Sequence, residues 1–400
     1  MMALYPRDTT GGAFLACYGL VMSRQDGDDP NPDDEVVWAP RGQPLPSTDW
    51  AEMGAKALDA GDFAVAIKWL KNALQSLPPD VSNQYIISVL TQLGRAHRLA
   101  GDLTAARRVM EDTCVIAENA GDTTLILMSA AEFGHTLLNQ GDPQLACERM
   151  AAALTRSRKL GDPRHVATLL DTHARALVAL GDLSEARRVL DQALSIKAKA
   201  KDASGRAVSL SLRGVVRAEQ GDMVGARDDL GKSLKISKRA LGPAHRSVGA
   251  ILSALAHVDR RAMKPESARD YLNQALVVQR ATLGDRHPEV ADTLVTLASV
   301  LVDSNNLDGA LSALDEALAI QQALGDGGQL AAAAIQREIA KVFVARGNLT
   351  GALESLRQAL VALGRIHGRD VREAVETTHD ELRKVEQLQK LHHKLRAQDT

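Results

Sequence analysis

The chain has 400 residues, a formal net charge of −2, and side chains that are 45% hydrophobic but only 3% aromatic. So balanced a charge sets up no long-range basic field for nucleic acid, and so few aromatics leave no platform for stacking bases. No apolar run reaches the roughly 18 residues that a membrane helix needs, so no membrane partner is expected.

Residues 1–46 differ in composition from the rest of the chain. They hold Pro30, Pro32, Pro40, Pro44 and Pro46 and an acidic cluster of Asp26, Asp28, Asp29, Asp33, Asp34 and Glu35. Three basic against seven acidic residues give this leader a charge of −4. Such a segment buries too little apolar surface to order itself alone, although residues 11–22 have the makings of a short helix that covers the start of the next segment. The hydrophobic stretch before Cys17 is too short, and Asp8 too close, for a lipid-attachment signal. Cys17, Cys114 and Cys147 form neither a disulfide framework nor a zinc spacing, which suits buried or incidental thiols in a reducing, cytoplasmic setting.

From residue 47 the chain repeats itself. Gly-Asp recurs at Gly61-Asp62, Gly101-Asp102, Gly141-Asp142, Gly181-Asp182 and Gly221-Asp222, in steps of 40. The lattice continues in weaker form through Met263-Lys264, Asn305-Asn306 and Gly347-Asn348, in steps of 42. A glycine can end one helix in the left-handed conformation, and the Asp after it can cap the next. Each dipeptide therefore predicts the tight turn of a helix hairpin. Asp182 with Glu185 has the spacing of a capping box, and Pro143 suits the first position of a helix.

Other positions repeat with the turn. Five residues past it stands Ala66, Ala106, Ala146, Ala186, Ala226, Ala268, Ala310 and Ala352. Seven residues before it only Gly or Ala is found, at Gly54, Gly94, Gly134, Ala174, Gly214, Ala256, Ala298 and Ala340. Nine residues past it comes a large apolar residue: Leu70, Met110, Met150, Leu190, Leu230, Leu272, Leu314 and Leu356. Small residues at fixed places allow two helices to cross closely, and the large ones fill the core. The expected fold is all-α, an α-solenoid of eight stacked hairpins.

These residues resemble the tetratricopeptide repeat family over roughly residues 47–364. The first unit carries the pattern most fully, with Trp50, Met53, Gly54, Ala66, Leu70, Ala73 and Pro78 at the family's positions. The units exceed the family's minimal period of about 34. The second half, with Leu241-Gly242-Pro243-Ala244-His245 and Leu283-Gly284-Asp285-Arg286-His287, is similar to the 42-residue repeats of kinesin light chains. The first half, with Leu160-Gly161-Asp162 between units, is similar to the 40-residue repeats of Gα-binding spindle-orientation adaptors. The resemblance implies a superhelix that binds a protein or peptide in a concave groove lined by the first helix of each pair.

In that register the groove stripe includes Arg95, Arg98, His135, Arg175, His257, Arg260, Arg337 and Lys341. Acidic residues on it are fewer, namely Asp171 and Asp292, with Glu219 and Asp303 at its margin. The stripe is therefore expected to hold an acidic, extended or helical peptide through guanidinium–carboxylate contacts. Ala51 and Ala55 stand where the chaperone-binding members need Lys and Asn, so chaperone-tail binding is not implied. The acidic, Trp-containing stretch from Asp33 to Trp38 is a candidate internal ligand for the same groove, with a disordered leader as the plainer reading.

No Walker-type loop, His-Glu-x-x-His or Cys pair occurs, so catalysis, cofactors and metals are not expected. The chain reads as a non-catalytic adaptor or scaffold, with a regulatory or sensor subunit as the alternative. Arg213 and Arg217 of the fifth unit stand where the repeat wants apolar bulk, and need solvent or the acids Asp228 and Asp229. With the change of period at Gly221, they suggest a joint between two half-solenoids. Residues 365–400 predict a last helix with a seam of Val371, Val375, Thr378, Leu382, Val385, Leu388, Leu391 and Leu395. It caps the stack or, alternatively, pairs with a second copy in a weak homodimer.

Overall fold

The computed structural model describes residues 47–59, 61–78, 80–157, 162–365 and 369–398. The acidic leader, Cys17 and Trp38 lie outside the described residues, as do Gly161 and the side chains of His392, His393 and Leu395. Every regular element among the described residues is helical. Four hairpins come first: α1 (Ser47–Asp59) with α2 (Phe63–Gln75), α3 (Asn83–Leu99) with α4 (Leu103–Ala120), α5 (Thr123–Asn139) with α6 (Pro143–Ser157), and α7 (Pro163–Ala179) with α8 (Leu183–Lys199). Four more come after them: α9 (Ala203–Glu219) with α10 (Met223–Leu241), α11 (Arg246–Arg261) with α12 (Pro265–Leu283), α13 (Pro288–Asp303) with α14 (Leu307–Ala323), and α15 (Gln329–Ala345) with α16 (Leu349–Leu363). A single helix, α17 (Arg369–Gln398), comes last. No helix among the described residues is long and apolar enough to cross a membrane.

Every turn of the lattice has the expected chemistry where the dipeptide is intact. Gly61, Gly101, Gly141, Gly181, Gly221 and Gly347 all take positive φ, a region closed to most side chains. The residue after each accepts a hydrogen bond from the backbone N–H three positions on, as Asp62 does from Val65 and Asp222 from Gly225. Asn306 and Asn348 cap in the same way as Asp. The capping box at Asp182 is only half made. Asp182 accepts from the Glu185 N–H, but the Glu185 carboxylate turns to Arg188 instead of reaching back. The sixth turn is the weak one, because Met263 is held at φ 57° and Lys264 makes no side-chain cap.

The hairpin crossings follow the small and large positions. All eight alanines past the turn are fully buried, from Ala66 to Ala352. A Cβ on Gly54 would stand 2.6 Å from Leu70 Cγ, and one on Gly214 would stand 2.7 Å from Leu230 Cγ. At these crossings the glycine on the first helix is therefore seated directly on the large residue of the second. In the first hairpin Trp50 also stacks on Trp69, with ring centroids 4.8 Å apart.

The extra residues of the 42-residue units have a structural role that their spacing does not reveal. After Gly242 and Gly284, both at positive φ, the imidazoles of His245 and His287 cap α11 and α13. Each Nδ1 accepts from the backbone N–H two residues on, at 3.1 Å.

By its contacts the chain divides into two compact units between Ile196 and Lys197, in the last turn of α8 and ahead of the fifth hairpin. Arg213 and Arg217 thus sit within the second unit. Both reach the buried carboxylate of Asp229, Arg213 through two bonds of 2.8 and 2.7 Å and Arg217 at 3.2 Å. Asp228 pairs with Lys232 instead. Asp259 is equally enclosed and accepts from Arg227 and from the Ser267 hydroxyl. At the end of this unit α17 packs on α16 and touches α15. Its seam is buried at Val371, Thr378 and Val385, half-buried at Val375 and Leu382, and exposed at Leu388 and Leu391.

Two outcomes test these assignments. Replacing Met263 by Gly and Lys264 by Asp restores an unstrained, capped turn, and is expected to stabilise the second unit by about 1–2 kcal/mol in urea unfolding. Replacing Asp229 by Ala removes the buried carboxylate that the half-buried Arg213 and Arg217 share, and leaves Arg217 only the longer contact to Asp222. A loss of about 3–5 kcal/mol is expected, read from the same unfolding midpoints.

Candidate functional site

In the first unit α3, α5 and α7 lie side by side. Gly94 lies against Met110 of its hairpin partner, Gly134 against Met150 of its partner and Thr172 of α7, and Ala174, at the same repeat position, is buried. The next residue along is turned about 100° from that seam. Arg95, His135 and Arg175 occupy this position, and the 40-residue period sets them in the same register on three adjacent helices. Arg95 is exposed, His135 half-buried, and Arg175 keeps an exposed surface although its guanidinium is partly desolvated. Arg98, one turn further along α3, has its Nη2 3.8 Å from the Glu132 carboxylate on α5.

The electrostatics bind these residues into one cluster. Burial lowers the His135 pKa to about 4, and the charges of Arg175, Arg98 and Arg95 act in the same direction. The ring is therefore neutral at ordinary pH, and its Nε2 lies 3.4 Å from the Thr172 hydroxyl on α7. Desolvation pulls the Arg175 guanidinium below its usual value, offset in part by Asp171. Among the described residues neither Arg95 nor Arg175 has a carboxylate within ion-pair distance. The cluster thus presents guanidinium groups around a neutral imidazole, and those groups match carboxylates in bidentate geometry.

The second unit treats its share of the stripe differently. His257 lies 3.9 Å from the Glu219 carboxylate, which also holds Arg261 at 2.8 Å. Arg260 meets Asp303 at 2.5 Å, and Lys341 meets Glu338 at 2.7 Å. Arg337 is clamped by both oxygens of Glu381 on α17, at 2.7 and 2.8 Å. The position of the ladder is held here by Val215, His257, Ser299 and Lys341, so the cationic run does not recur. A cavity of about 140 Å³ opens among Arg260, Val295, Ser299, Asp303, Glu338 and Lys341, and its rim is charge-balanced.

The eight residues picked out from the sequence therefore separate into two sets. Arg95, Arg98, His135 and Arg175 come together, whereas His257, Arg260, Arg337 and Lys341 are each drawn to a carboxylate of the same chain. Asp303 and Glu219 were visible at the margin of the stripe. Glu381 was not, because it stands 44 residues from Arg337 on a helix that no repeat places in register. Sequence reading also missed the meeting of Cys147 and His173, whose Sγ and Nε2 lie 3.3 Å apart on α6 and α7. Burial and the acids Glu148, Asp182 and Glu185 raise the thiol pKa, and burial lowers that of the imidazole, so the two meet as neutral groups. The Cys114 thiol is pushed up to about 11 by burial.

A family model for the tetratricopeptide repeat matches residues 125–199, 205–281, 248–323 and 289–365, more than half of the chain. No curated protein matches. Among solved structures, a signal transduction ATPase with numerous domains from Pyrococcus horikoshii, which carries a tetratricopeptide repeat sensor, is 14% identical with a TM-score of 0.56. That match covers 86% of this chain and 50% of the other. A Rap protein complexed with competence and sporulation factor is 12% identical with a TM-score of 0.52, over 85% of this chain and 97% of its own. A kinesin light chain from Podosopora anserina with nearly identical TPR-like repeats is 23% identical, covers 50% of this chain and 96% of its own, and has a TM-score of 0.41. At such identities the likeness concerns the fold alone. With its repeated hairpins matched over more than half its length, the chain belongs to the tetratricopeptide repeat family.

Proposed function

We propose that the protein is a non-catalytic interaction adaptor whose first unit holds an acidic segment of a partner protein across α3, α5 and α7. The observation that carries this reading is the ladder of Arg95, His135 and Arg175, with Arg98 beside it. Neither Arg95 nor Arg175 has a carboxylate within ion-pair distance among the described residues, and Asp171 offsets the desolvation of Arg175 only in part. A carboxylate-bearing peptide laid across the three helices supplies the missing partners, and arginine makes that contact with two parallel hydrogen bonds. The ion pairs of the second unit support a structural part for its half of the stripe. This reading places the protein in the cytoplasm, where the thiols of Cys114 and Cys147 stay reduced.

A regulatory or sensor subunit is the second reading, prompted by the Rap protein and the sensor-bearing ATPase among the fold neighbours. It uses the same ladder and differs in its consequence, since the bound segment would then change a partner enzyme's rate.

Charge reversal separates the two halves of the stripe. Arg95→Glu with Arg175→Glu is expected to weaken binding of an acidic peptide by at least about 2 kcal/mol, since each charged hydrogen-bonding pair contributes about 1.5–3 kcal/mol. Lys341→Glu in the second unit is expected to change it by less than about 0.5 kcal/mol. Calorimetric titration of the full chain measures both. Equal losses from the two variants would place the recognition surface elsewhere.

A further inference from the structure

We infer that the ladder takes up a proton at His135 when an acidic segment binds, so that the partner and the acidity of the medium act on one surface. The inference rests on the acidic-segment reading of that ladder.

The geometry is that of an imidazole set between fixed cations. His135 stands on the middle helix, with Arg95 and Arg98 on α3 to one side and Arg175 on α7 to the other. Guanidinium groups do not titrate in the physiological range, so their field on the ring is permanent in the free protein. The carboxylates nearby are already engaged: Glu132, on the same helix as His135, faces Arg98, and Asp171 acts on Arg175. From α4 and α6, Glu118 and Arg149 face the Phe133 side of α5, away from the ring of His135. The ring is only half-buried, so a ligand laid across the helices reaches its edge.

A bound carboxylate pair changes both sides of this balance. Burial lowers the proton affinity of the ring most and stays in place, but by pairing with Arg95 and Arg175 the ligand cancels the part that these cations add, and it brings negative charge that favours the imidazolium. Linkage makes the effect reciprocal, because whatever raises the proton affinity of His135 in the complex also raises the ligand affinity of the protonated protein. In the free protein the ring stays neutral until the pH approaches about 4. In the complex its affinity for protons rises from there but stays below the ordinary value near 6.5, because the ring remains buried. Between those limits the complex binds more protons than the free protein, so affinity rises as pH falls. A full return to the ordinary value would make binding at pH 5.5 about tenfold tighter than at pH 7.5, and the persisting burial of the ring sets the effect below that limit.

The test is titration of the full chain with an octaglutamate peptide at pH 5.5, 6.5 and 7.5 and constant ionic strength. Calorimetry in two buffers of different ionisation enthalpy counts the protons taken up. The expected result is binding that tightens toward pH 5.5, by less than about tenfold, with net proton uptake, and a loss of both the pH dependence and the uptake in His135→Gln. Octaglutamate that binds with the same affinity at all three pH values overturns the proton coupling and leaves the binding surface standing. A pH dependence that survives unchanged in His135→Gln overturns it as well, by assigning the proton to another group. Absence of octaglutamate binding at every pH sinks the acidic-segment reading and this inference with it.

Discussion

Where the first helix of a hairpin carries glycine at the crossing, at Gly54, Gly94, Gly134 and Gly214, it is seated against Leu or Met on the second. The fit is close enough that even a methyl group on Gly54 would run into the Leu70 side chain. Interiors packed to this density tolerate little change of volume, which accounts for the constancy of Ala at the eight buried positions just past the turn. The turn itself is looser. It survives as Met263-Lys264 with a strained backbone and no side-chain cap, while Ala256, Ala268 and Leu272 around it stay buried. The energy of a repeat lies more in the crossing than in the connection.

The surface inherits its order from that seam. Once Gly94, Gly134 and Ala174 are committed to their hairpin partners, the residues next to them project at a set angle. A 40-residue repeat then lines up Arg95, His135 and Arg175 on adjacent helices. In the second unit the added turn residues bring His245 and His287 in as helix caps, a use of histidine that has nothing to do with ligand binding. The same repeat position there carries Val215, His257, Ser299 and Lys341 in turn.

Arginine serves two ends in this chain, and its carboxylate partners tell them apart. Arg213, Arg217 and Arg227 turn inward to Asp229 and Asp259, whose oxygens are sealed from solvent. Desolvation offsets much of the attraction in such groups, whereas removing one partner leaves the other charge poorly compensated. Arg337 fastens the last helix through Glu381. Arg95 and Arg175 face outward beside a neutral imidazole, and they are the arginines on which the proposed recognition depends.

The fold was readable from residue identities alone, since turn, crossing and core positions recur at fixed offsets and each offset has a local physical cause. The fully buried alanines and the capped Gly-Asp turns needed no knowledge of distant contacts. The basic stripe was readable only as a set of candidates. Whether a given cation faces outward to a ligand or inward to a neighbour depends on carboxylates brought near by packing, as Asp303 is to Arg260 and Glu381 to Arg337. The neutrality of His135 likewise arises from burial and from three arginines on two other helices. Local periodicity determined the architecture, because hairpin contacts are short in sequence. Tertiary structure decided which charges were left over, because electrostatic pairing runs between helices whose separation no repeat period encodes.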